Sequence, residues 1–118
     1  MKEKMFMLAT TLIMAGTLSL AYAAADADKG KALFESPTLG GGTTGKSCAT
    51  CHEGGKNIGA DLFERQKLSI MGTDKNTIED LINVCIEKPL GGKAIAPQGA
   101  EMQNLIAYMK TLVSTQGK

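Results

Sequence analysis

Cysteine stands at positions 48 and 51, and the chain's only histidine at position 52, in the run Ser-Cys-Ala-Thr-Cys-His, residues 47–52. This spacing constrains the local backbone. Residues three apart share one side of a helical turn, so both thiols can face one object with the imidazole directly behind them. Zinc also favours such residues, and Cys85, the third cysteine, can complete a four-ligand set with Cys48, Cys51 and His52. Adjacent Cys51 and His52, however, rarely fold back onto one metal. A thioredoxin-like redox pair needs a strand–helix–strand setting, and no strand pattern is visible. A plain Cys48–Cys51 disulfide leaves His52 without a role.

The C-x-x-C-H spacing reads as covalent attachment of one haem c. The thiols of Cys48 and Cys51 add to the two vinyl groups on one edge of the ring. The imidazole of His52 turns beneath it as the proximal iron ligand. No second histidine exists, so ligation by two histidines is excluded within a monomer.

Composition points the same way. Beyond residue 23 the aromatic residues are Phe34, Phe63 and Tyr108, and the chain has no tryptophan. A small domain so short of bulky side chains usually needs a metal, disulfides or another filler. A covalently held ring is such a filler.

Lys2 and Lys4 are followed by an uncharged apolar run over residues 5–20 and then by Ala21-Tyr22-Ala23. This order predicts a secretory signal peptide over residues 1–23, cleaved after Ala23 or after Ala25. The run is short for a membrane span, which takes about 20 apolar residues. Haem attachment and export together make the periplasm the expected location. Residues 24–118 are then one monohaem domain. The whole chain has 13 Lys+Arg and 12 Asp+Glu; leaving out Lys2, Glu3 and Lys4 balances the rest at 11 of each. That balance argues against a nucleic-acid binder, which needs a basic surface. Lys46 and Lys56 flank the motif as candidates for docking a partner, although steering over distance needs a one-signed field.

The expected fold is all-α, with three principal helices. The first covers residues 26–36, capped by Asp26 or Asp28 and stopped by Pro37. A glycine loop follows over residues 37–47, then a helical turn at the motif and a short helix over residues 61–67. Thr73 or Asp74 caps a second main helix, in which Ile78, Leu81, Ile82 and Cys85 recur on one face until Pro89. After another glycine loop, the last helix carries Met102, Leu105, Ile106, Met109, Leu112 and Val113 on a broad apolar face.

With these residues in place, the chain from residue 24 resembles a class I c-type cytochrome over nearly its whole length. Gly30 and Phe34 in "KGKALF" and Tyr108 in "LIAYM" match the positions where that family's N- and C-terminal helices cross over one bound haem. The family's G-P-x-L segment, whose proline carbonyl accepts the histidine's second ring hydrogen, is represented by Gly59-Ala60-Asp61-Leu62; another backbone carbonyl can take that role.

The family's sixth iron ligand is commonly a methionine in a Met-Pro loop, and no Met-Pro occurs here. Met102, in the first turn of the last helix, is the methionine expected to ligate. Met71 lies early for the usual topology, and Met109 reads as core. The stretch "LINVCIEKPLGGKAI" followed by "AEMQNLIAYM" resembles haem domains of thiosulfate dehydrogenase and sulfur-oxidising cytochromes, although Leu81 stands where those enzymes have arginine. That resemblance implies Cys85 as an iron ligand opposite His52. The competing reading of Cys85 is a small buried apolar residue.

A methionine ligand raises the haem potential, and a thiolate donates electron density to iron. Met102 ligation thus predicts a high-potential shuttle and Cys85 ligation a low-potential centre or sulfur chemistry. A single haem, a small domain and no evident acid or base for a substrate make the chain an expected electron carrier rather than an enzyme, a monomer or small subunit working with redox proteins, among them another haem protein. A membrane would enter only as the place where a partner docks. The alternatives are a haem subunit of a thiosulfate-type oxidising enzyme with His/Cys ligation, and a small-ligand binder with a labile sixth position.

Overall fold

The computed structural model describes residues 24–116. The expected signal peptide lies outside these residues. Among the described residues are four α-helices: α1 (Ala27–Glu35), α2 (Cys48–His52), α3 (Ile78–Glu87) and α4 (Ala100–Gln116). None of the helices among the described residues is long and apolar enough to cross a membrane.

Helix α1 begins where the Asp26 carboxylate accepts from the backbone N–H groups of Asp28 (2.9 Å) and Lys29 (3.1 Å), satisfying two of the donors that a helix start leaves open. It ends at Ser36, because the residue before a proline is pushed out of helical conformation. Its buried residues, Gly30 and Phe34, lie against α4. A Cβ on Gly30 would overlap the carbonyl of Asn104 and crowd Cβ of Tyr108, so the two backbones touch at this point. One turn on, Phe34 meets Tyr108 edge to face, with centroids 5.2 Å apart and planes at 71°. The Asp26 N–H donates to the Asn104 side-chain oxygen at 2.8 Å. Along α4, Met102, Leu105, Ile106, Met109 and Leu112 are buried, as the apolar periodicity predicts, and Val113 is half-buried.

The molecule is mostly helical, but the expectation of an all-α chain needs correction. Strands β1 (Leu68–Ile70) and β2 (Thr73–Lys75) pair antiparallel, Leu68 opposite Lys75 and Ile70 opposite Thr73. Met71 and Gly72 form the connecting turn, with φ of 51° and 74°. Two successive left-handed residues match the right-handed twist of a tight hairpin. Three-residue strands are too short for alternation to register as a period. The hairpin also displaces two expected features. The helix over residues 61–67 shrinks to a single 3₁₀ turn, Leu62–Glu64. Thr73 and Asp74 are strand residues and not caps; α3 is capped by Thr77, whose hydroxyl accepts from the Asp80 N–H at 3.1 Å.

Helix α3 is buried on more than the face expected of it. Asn83, Val84 and Ile86 are buried as well as Ile82, whereas Ile78, Leu81 and Cys85 are half-buried. The chain leaving α3 folds back on the glycine loop of residues 37–47. The Leu90 carbonyl accepts from the N–H groups of Thr43 (2.8 Å) and Thr44 (3.2 Å), and the Lys93 N–H donates to the Gly40 carbonyl (2.8 Å). Asn83 holds the same return segment from inside: its amide donates to the Ile95 carbonyl at 3.0 Å and accepts from the Ile95 N–H at 2.9 Å.

Candidate functional site

A cavity of about 380 Å³ opens among α2, the hairpin, α3 and α4. That volume lies within the range of about 300–1,000 Å³ common to ligand pockets. Cys48, Cys51 and His52 line it from α2, Ile70 and Met71 from the hairpin, Leu81, Ile82 and Cys85 from α3, and Leu105 and Met109 from α4. Its walls are mainly apolar. Arg65 is the one lining residue with a fixed charge, and no carboxylate lines the cavity among the described residues.

The motif is presented by a short, well-anchored turn. The Ser47 N–H donates to the Thr50 hydroxyl at 2.9 Å, and the Thr50 N–H returns to the Ser47 carbonyl at 3.1 Å. The helix stops after His52, and the following glycines turn the chain sharply; Gly55 has φ of 87° and lies against Leu112 of α4, with the Gln116 amide donating to its carbonyl. Only a residue without Cβ fits both that φ and that approach. Asn57, also left-handed at φ 63°, donates from its side chain to the Cys51 carbonyl at 3.3 Å.

His52 is held in one tautomer. Its Nδ1 lies 2.9 Å from the Lys56 carbonyl. A carbonyl can only accept, so Nδ1 carries the hydrogen and Nε2 keeps its lone pair for a metal. The backbone carbonyl expected for this role is present, but it comes from Lys56 on the loop directly after the motif rather than from the Gly59–Leu62 segment.

All three cysteines are free thiols. Burial, and next the nearby Cys85, push the Cys48 thiol up to about 11. Burial, followed by the proximity of Cys51, raises the Cys85 thiol as well. Burial thus keeps Cys48 and Cys85 in the neutral thiol form. Among the described residues, no three His, Cys, Asp or Glu side chains stand close enough together to hold a metal ion, so a zinc site on Cys48, Cys51, His52 and Cys85 has no geometry here.

The structure brings Cys48, Cys51, His52 and Cys85 to one cavity and leaves Met102 out. Met102 is fully buried in the core and is not a lining residue; Met71 and Met109 are. Three contributors were missed from the sequence. The Lys56 carbonyl and Asn57 act through a backbone path that composition does not disclose. Arg65 pairs with Asp61 through Nε (3.0 Å) and Nη2 (2.7 Å) while lining the cavity. The available signals were the Gly-Gly pair before Lys56 and the four-residue spacing of Asp61 and Arg65.

No protein-family model, curated protein or solved structure matches this chain.

Proposed function

We propose that this protein is a single-electron carrier of the class I cytochrome c kind, with one haem c bound covalently through Cys48 and Cys51. The observation that carries the reading is the convergence of both motif thiols and a tautomer-fixed His52 on one apolar cavity. These residues fit the group: two thiols for the thioether bonds, an imidazole lone pair for iron, and apolar walls for a flat ring. When bound, the haem supplies a ferric/ferrous couple.

The chain's own residues do the rest. Cys48 and Cys51 would tie the ring to α2. The Lys56 carbonyl orients His52 and makes it a stronger donor. Phe34, Leu81, Ile82 and Leu105 keep water from the walls. The lining includes no carboxylate to move a proton, which favours electron transfer over acid–base turnover. Export to the periplasm and exchange with redox protein partners belong to the same proposal.

A second reading rests on Cys85. Its place in the cavity favours a haem subunit of a sulfur-compound oxidising enzyme, with the thiolate as second iron ligand. Two measurements separate the readings. Mass spectrometry of the exported protein is expected to show one haem added, lost in Cys48→Ala/Cys51→Ala; an unmodified chain would sink both. Reversible reduction without turnover of thiosulfate or sulfite is the carrier's signature, and sustained turnover by the isolated protein is the enzyme subunit's.

A further inference from the structure

Met71 is an oddity on three independent counts. It is the one exposed large hydrophobic residue recorded among those described, at 57 % relative exposure. It sits at φ 51°, one of two non-glycine residues in the left-handed region among those described, the other being Asn57. It also lines the cavity, as Asn57 does.

Neither packing nor turn chemistry accounts for methionine here. A methionine more than half exposed gains little from burial. A two-residue hairpin turn with both residues left-handed favours Asn-Gly, whereas a residue with a long side chain is strained in that conformation. Glycine or asparagine would suit the backbone better. Strained residues that persist tend to cluster at functional sites, and both of these border the same cavity. What methionine adds at position 71 is a soft sulfur at the mouth of a cavity that already presents an imidazole lone pair.

We propose that the Met71 thioether, delivered by the β1–β2 turn, is the second protein ligand of the iron. This rests on the haem reading above and departs from both residues put forward from the sequence. Met102 is sealed in the core, without access to the cavity. Met109 does line the cavity, but it is buried within α4, between Leu105 and Leu112, where an apolar side chain is required anyway. Cys85 belongs to an apolar helix face with Leu81 and Ile82, and free cysteine is commonly buried as a small apolar residue. The hairpin, by contrast, is a separate element whose tip has no packing role.

The test is near-infrared magnetic circular dichroism and far-red absorption of the ferric holoprotein, with haem content measured first on every variant. The expected result is a thioether-to-iron charge-transfer band in the wild type. That band is lost in Met71→Leu and Met71→Gly and kept in Met109→Leu and Cys85→Ala. The midpoint potential falls in both Met71 variants, since a thioether ligand raises it. Met71→Gly relieves the backbone and is expected to fold at least as well as wild type, which separates ligand loss from unfolding. A thiolate band abolished by Cys85→Ala overturns the proposal in favour of Cys85. A thioether band that survives Met71→Leu overturns it in favour of another methionine, and the absence of both sulfur signatures overturns it outright. A chain without haem refutes the reading underneath instead.

Discussion

Gly30 has no room for a side chain. A methyl group there meets the Asn104 carbonyl, which is backbone and cannot rotate away. Forcing extra volume into a packed contact costs about 1–3 kcal/mol, and Gly30→Ala belongs at the upper end. At about 4–8 °C per kcal/mol for a domain of this size, its melting temperature is expected to fall by roughly 10 °C or more; a melt unchanged from wild type would mean that α1 and α4 do not touch here. Asp61 behaves differently. Its hydrogen bonds from Arg65 hold the carboxyl below the usual range, and both groups are exposed. A lowered folded-state value means that the pair's contribution is present above the ordinary carboxylate range and lost as pH falls through the folded value. Asp61→Asn is therefore expected to melt slightly below wild type at pH 7, with the gap closing in acid. A gap that widens in acid would reverse the sign of this argument.

Among the elements, the segment after α3 is held from the inside by one buried side chain, beside the backbone bonds that tie it to the glycine loop. Asn83 makes two hydrogen bonds to the backbone of Ile95 from a buried position. Each is worth about 1 kcal/mol net, and its loss leaves a buried group unpaired. Asn83→Ala is expected to lower unfolding free energy by about 2–3 kcal/mol in urea titrations and to speed hydrogen exchange at the Ile95 amide. Normal protection of that amide would show that the segment is held elsewhere. Helix α1 was legible in the sequence from its cap and its terminating proline, and α4 from its broad apolar stripe. Helix α3 was legible in its body but not at its start, since Thr73, Asp74 and Thr77 are all competent caps. The Met71-Gly72 turn decided between them, and the hairpin it makes is too short to carry a period. The cysteines and histidine of the site were legible because their chemistry is encoded in adjacent positions. The difference between Met71 and Met102 was not, because it depends on which surface each element turns toward the cavity, and that is set by contacts distant in sequence.

For the molecule as a whole, the cavity is a large liability if nothing fills it. At ~24 cal/mol per Å³, an empty volume of about 380 Å³ corresponds to ~9 kcal/mol, an upper bound because the mouth is open to water. A small domain has about 5–15 kcal/mol of stability in total. On the proposed haem reading, Cys48→Ala/Cys51→Ala leaves the cavity unfilled and is expected to lose cooperative thermal melting and much of its helical circular dichroism. A sharp melt at wild-type temperature would show that the protein core is self-sufficient.

The contact between α1 and α4 has a consequence for how the chain comes into being. Asp26 bonds Asn104, 78 positions later, and Phe34 is covered by Tyr108. A ribosome delivers the first helix long before the residues that shelter it. During that interval α1, at nine residues, is too short to persist in water alone. The nascent chain therefore stays open until α4 emerges, and completion of the core waits on that helix.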